Sequence, residues 1–161
     1  MIFLNTMYLG REIKMNNVTI FDVATFFLSI ADRKEADITN MKLQKLCYYA
    51  QGVYLAVTDG EPLFDNEFLH WEHGPVCKEL WQKYTQYGSN VIPEPSEDTA
   101  YKFTEKQIEI LNDVYSYFGQ FSAWKLRNMT HNETPWINTN NNEIIPKDMI
   151  KTYFKNYIIN G

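Results

Sequence analysis

The chain has 161 residues, 45% of them hydrophobic and 22% charged, with no apolar run long enough to cross a membrane. Fifteen Lys and Arg stand against twenty Asp and Glu, a formal net charge of -5, which argues against non-specific attraction to nucleic acid or anionic lipid. A chain of this size builds one domain and buries roughly 70% of the surface its unfolded form exposes. Its 4 Trp, 11 Tyr and 10 Phe, 16% of the sequence, demand either a thick core or a sticky surface.

The first stretch lacks the positive region and small-residue cleavage site of a secretory signal, so Cys47 and Cys77 read as free thiols of a cytoplasmic protein. Met15 precedes Asn16-Asn17-Val18-Thr19, where helix-forming sequence begins. Residues 1–17 therefore read as an N-terminal arm or a mis-called start, with Met15 as the expected native initiator, and 18–161 as the domain.

In chain order, Val23, Phe26, Phe27 and Ile30 form the stripe of a first helix with Asp22 as its cap. A longer helix follows over 41–58, with Leu43, Leu46, Cys47, Ala50, Tyr54 and Val57 on one face, Thr39 or Asn40 as cap and Gly60 as stop. Residues 68–73 suit a strand, expected to pair with a second near 91–92 or 101–103. Pro75 reads as the first position of a helix ending at Gly88, with Val76, Leu80, Tyr84 and Tyr87 inward. Thr104 and Gln107 make a capping box for the next helix, which ends at Gly119, and Ser122 caps a short one over 123–131. Pro146 opens the last, with Ile150, Tyr153, Phe154, Tyr157 and Ile158 on one face. The sum is a mainly α fold, one compact domain of about six helices with a small hairpin or extended segment near 68–73 and 91–103.

Few constellations carry chemistry. His70, His73 and Cys77 lie close together, but the two histidines alternate faces of a strand and no second Cys or His pair completes a metal site, so neither metal nor cofactor is expected. Cys77 near a helix start beside His73 could be a nucleophile, yet no orienting group or oxyanion site accompanies it and a small buried residue is the simpler reading. Lys147, Lys151 and Lys155 form a helical stripe that reads as a solvated face. Trp81, inside a helix, reads as core. Trp71 and Trp136 sit where loops meet helices, and with His131 read first as a structural clamp and second as a partner anchor.

The run Lys42-Leu43-Gln44-Lys45-Leu46-Cys47-Tyr48-Tyr49-Ala50-Gln51-Gly52, then Gly60-Glu61-Pro62-Leu63-Phe64, Trp71-Glu72-His73-Gly74-Pro75-Val76, Thr130-His131 and Pro135-Trp136 resembles the Panacea domain, a SocA-like or GepA-like family common in prophages. The resemblance implies the antitoxin of a toxin–antitoxin pair, a non-catalytic protein that binds a cognate toxin. Other partners it implies are a host protease, for relatives acting as adaptors, or a host defence factor. The family motif carries over to Leu43, Gln44, Lys45, Leu46, Tyr49, Trp71, Gly74, Pro75, Val76, Thr130, His131 and Trp136, without assigning which touch a partner. Aromatics outside the helical stripes, with the neighbouring histidines, give the candidate partner contacts: Tyr48, Tyr49, Trp71, His73, Trp124, His131 and Trp136. Any of them exposed on one face would mark the toxin-binding surface.

Overall fold

The structure, a computed structural model, describes residues 18–159; the expected arm or mis-called start at 1–17 lies outside them. Helix α1 (Ile20–Ile30) begins one turn before the position expected from sequence. Thr19 is the N-cap, and the Asp22 carboxylate reaches back to the Thr19 N–H at 3.0 Å while Thr19 Oγ1 accepts the Asp22 N–H, a reciprocal capping box. Asp22 is thus the third helical residue. Val23, Phe26 and Phe27 are buried, but Ile30, in the last turn, is exposed.

Helix α2 (Asn40–Val57) starts at Thr39, whose Oγ1 accepts the Lys42 N–H at 3.3 Å. It ends in a Schellman pair: Gly60 N–H bonds the Leu55 carbonyl at 2.8 Å and Asp59 N–H the Ala56 carbonyl at 3.4 Å, with Asp59 itself left-handed at φ 57°. The expected one-sided stripe is exceeded, because fifteen of its eighteen residues are buried. Helices from both halves of the chain pack around α2, so it has no solvent face apart from its ends.

The hairpin differs from expectation. Strand β1 (Leu69–Trp71) pairs antiparallel with β2 (Gly74–Val76), in the register Leu69↔Val76, His70↔Pro75 and Trp71↔Gly74. Pro75 is therefore a strand residue. The backbone groups of His70 point away from β2, to the Glu143 carbonyl (2.9 Å) and the Asn142 N–H (2.8 Å). Pro75 consequently occupies a non-hydrogen-bonded pair, where its missing N–H costs the ladder nothing. The 91–103 stretch forms no strand: Ile92 N–H bonds the Ile38 carbonyl at 2.9 Å and Ala100–Lys102 make a 3₁₀ turn.

Helix α3 (Lys78–Lys83) starts at Cys77 rather than Pro75, and a 3₁₀ turn, Thr85–Tyr87, carries the chain to Gly88. Helix α4 (Glu105–Phe118) has the expected Thr104–Gln107 capping box. Ser122 caps α5 (Ala123–His131), and α6 (Thr134–Ile137) is a single turn. Helix α7 (Lys147–Tyr153) widens into π-type turns over Phe154–Ile159. The wider winding rotates Tyr157 off the inward stripe to 65% exposure, while Ile150 and Phe154 stay buried.

At the centre, Gly52 of α2 lies against the Phe154 ring, where a Cβ would come within 2.4 Å of a ring carbon. Tyr49 stacks on Phe118 at 3.9 Å between centroids, and Tyr48 meets Phe68 and Phe154 edge to face. Among the described residues the architecture is a single mainly α domain of seven helices and one small antiparallel hairpin.

Candidate functional site

The motif side chains of α2 turn inward and close the outer edge of the hairpin. Lys45 Nζ donates to the Pro75 carbonyl at 3.2 Å, and Gln44 Oε1 accepts the Cys77 N–H at 2.9 Å. Gln44 Nε2 in turn donates to Asn40 Oδ1 at 3.2 Å, and Asn40 Nδ2 donates to the Trp81 carbonyl at 3.0 Å. This buried polar rail fixes β2 and α3 to the central helix. Leu43, Leu46, Gly74, Pro75, Val76 and Thr130 are buried around it, so these motif positions hold the fold.

Gly74 is required by the geometry. Its φ is +102°, and a Cβ there would meet Lys45 Cε and Thr130 Oγ1, each at 2.6 Å. Among the described residues no carboxylate pairs with Lys45, and burial, with Arg127 nearby, pulls its pKa down to about 7. Glu133 is the acidic counterpart: burial pushes its carboxyl up to about 7, against the opposing pull of the Tyr49 hydroxyl, which donates to Oε2 at 2.7 Å. Glu133 carried no signal in the sequence beyond its place before Pro135.

Trp136 forms the clamp expected of it. Its ring is sandwiched between the imidazoles of His70 and His131, at centroid distances of 4.0 and 3.9 Å, and its indole N–H donates to the Trp71 carbonyl at 2.9 Å. The Trp136 carbonyl lies 2.7 Å from His70 Nδ1, which must therefore carry a proton. Burial, then the Arg127 charge, lowers the pKa of His131. His70 and His73 diverge as expected, and among the described residues no three His, Cys, Asp or Glu side chains form a metal-holding group.

Cys77 is buried, and burial together with the Glu79 carboxylate, which accepts its thiol hydrogen bond at 3.0 Å, pushes the thiol up to about 12. That environment suppresses the thiolate a nucleophile requires. Of the lysine stripe, Lys147 pairs with Glu67 and Lys155 with Asp59, each at 2.8 Å. No helix among the described residues is long and apolar enough to cross a membrane.

The candidate partner contacts separate by exposure. Tyr48 and Tyr49 are completely buried and belong to the core, which corrects their reading as surface contacts. His131 and Trp136 are half-buried within the clamp. Trp124, by contrast, is 55% exposed. Trp71 and His73 are half-buried on the same side, and Trp81, expected in the core, is half-buried too, because α3 is a short helix lying on the surface.

Trp81 forms a wall between two shallow grooves of about 480 Å³ each. One runs to Trp124 over Met41 and Ala123, and the other to Trp71 and His73. Trp71 and Trp81 meet edge to face at 6.2 Å, His73 lies 5.9 Å from Trp124, and the Arg127 guanidinium lies 4.8 Å from the centre of the Trp124 ring. Sequence reasoning missed Trp81 and Arg127. The spacing of Trp124 and Arg127, one helical turn apart, was the signal available for the second. A third groove, about 520 Å³, lies away from this face between α2, α4 and the final turn, bordered by Val57, Tyr117 and Tyr157.

Comparison with known proteins places these residues in a family. The pattern described as "Antitoxin SocA-like, Panacea domain" matches residues 43–137, more than half of the chain. A protein named Antitoxin SocA, from Caulobacter vibrioides (strain NA1000 / CB15N), is 36% identical over 70 residues, covering 44% of this chain and 37% of that relative. No solved structure matches. The matched span runs from the inward face of α2 through the hairpin to the Trp136 clamp, and the chain belongs to the SocA-like, Panacea domain family.

Proposed function

We propose that this chain is the antitoxin of a type II toxin–antitoxin pair, acting in the cytoplasm by binding a cognate toxin directly, without cofactor and without catalysis. Membership of a family described as antitoxin-like carries the reading. The named relative is itself an antitoxin, aligned over 37% of its length. The chemistry of the chain is compatible with it: the Cys77 thiol is held protonated, and Gln44 and Lys45 of the motif are spent on internal bonds.

Neutralisation by binding needs a stable scaffold and an accessible surface, and the molecule divides along that line. The motif polar rail and the Trp136 clamp form the scaffold, and the tryptophan face is an accessible apolar surface. Co-expression with the product of the adjacent gene is the test. The expected result is that this product arrests growth alone and is harmless alongside the chain, with the two proteins co-purifying. A product that is harmless alone, or that stays toxic in the presence of the chain, overturns the proposal. Faster decay of the product only in protease-competent cells would instead identify the chain as an adaptor.

A further inference from the structure

The groove between Trp81 and Trp124 has no charged side chain in its lining, in a protein whose net charge is -5. At its edge stands Arg127. Its guanidinium lies over Trp124, it forms no salt bridge among the described residues, its Nη1 bonds only the neutral Asn128 amide at 3.0 Å, and its Nε is buried with no partner. His73 Nδ1, near the same tryptophan, is likewise buried without a partner among the described residues.

A guanidinium without an ion pair presents a fork of donors matched to a carboxylate, and Trp and Arg are both among the residues enriched in binding hot spots. The other large groove lacks this feature. Its charges are Lys106 and Glu109, which face each other across 3.8 Å, and a further anion, Asp113, so it offers no free cation to a carboxylate.

We infer that the tryptophan face binds an acidic–apolar segment of the partner: a large apolar or aromatic side chain seated between Trp81 and Trp124, and a neighbouring Asp or Glu carboxylate on Arg127. The inference rests on the antitoxin reading only for the identity of the partner. Lys125 is the other cation on the exposed side of α5, and Glu72 is the acidic residue in the lining of the second groove. The carboxylate is assigned to Arg127, beside Trp124. The rail from Gln44 through Asn40 to the Trp81 carbonyl holds this wall of the groove in place before any partner arrives, which lowers the ordering cost of binding.

The test is a random-peptide library displayed on phage and panned on the full folded chain, with Trp124→Ala and Arg127→Gln as counter-targets and Tyr117→Ala as the control on the other groove. The expected peptides carry Asp or Glu next to Trp, Phe or Leu. Their affinity falls by about tenfold or more on Trp124→Ala and on Arg127→Gln, and it weakens with added salt on the parent but not on Arg127→Gln. Tyr117→Ala leaves it unchanged. Selection of basic peptides, an empty selection, or peptides that bind Trp124→Ala as well as the parent overturns the inference.

The toxin separates the two claims. If the parent neutralises the neighbouring product and Trp124→Ala does so equally well, the surface assignment fails and the antitoxin reading stands. If the acidic–apolar peptides are recovered and the product is not neutralised, the surface stands and the antitoxin reading fails.

Discussion

The interior of α2 and the tryptophan face are built from the same kinds of residue and put them to opposite uses. On α2, Tyr48 and Tyr49 are fully buried, and Lys45, a cation, lies beside them equally buried. On α5, Trp124 is 55% exposed with Arg127 beside it. Aromatic–cation pairs therefore say little about location by themselves. What separates the two is how many elements cover the helix: α2 is surrounded, whereas α5 is covered on one side only. Interior polar groups here fix register, and exposed ones are free to meet a partner.

The sharpest way to break the interior side of this comparison is Gly74→Ala. Left-handed backbone and two contacts at 2.6 Å act together, and the variant should lose about 3 kcal/mol or more in urea unfolding. A loss below about 1 kcal/mol would mean that the hairpin is not locked to α2.

Glu133 gives a pH-dependent test of nearly the same size. Its carboxyl is raised from 4.5 to about 7 on folding, so the folded state binds its proton more tightly. The contribution it makes is full below pH 4.5 and is lost as the pH rises to about 7. Glu133→Gln should remove that decline, gaining on the parent by roughly 3 kcal/mol across the interval. Parallel stability curves would contradict the burial of the charge. Lys45 acts with the opposite slope: its pKa falls from 10.5 to about 7, so its penalty is relieved as the pH rises between those values, and Lys45→Met should flatten that rise.

Gln44→Ala tests the rail. It leaves the Cys77 N–H and the Asn40 amide short of partners, and a loss of about 2 kcal/mol in thermal or urea unfolding is expected. Smallest of all is Trp124→Ala, which should change stability by no more than about 0.5 kcal/mol, because the ring is mostly in solvent. A large loss there would move Trp124 to the interior side of the comparison.

Much of the architecture was legible because its signals are local. Thr39, Ser122 and the Thr104–Gln107 box cap α2, α5 and α4 as their side-chain chemistry dictates. The hairpin was not, because Gly74-Pro75 satisfies two rules at once. Proline suits a first helical turn, and it equally suits a strand position whose N–H faces no partner; only the distant 142–143 backbone, pairing with His70, decides between them.

The same limit applies to the site. The motif was readable as a set, but its inward direction depends on α4, α5 and α7 covering α2 from distant parts of the chain. Tyr157 followed the helical stripe in sequence and left it in space, because the last turns widen. Trp81 read as core from its helical setting, whereas α3 proves to be six residues long and superficial.

The division between scaffold and surface is tested most directly by calorimetric titration of the adjacent-gene product into the parent chain and Trp124→Ala, with unfolding measured on both. The account predicts equal stability and an affinity about tenfold or more weaker for the variant. Equal affinity, or an affinity loss accompanied by an equivalent loss of stability, would contradict it.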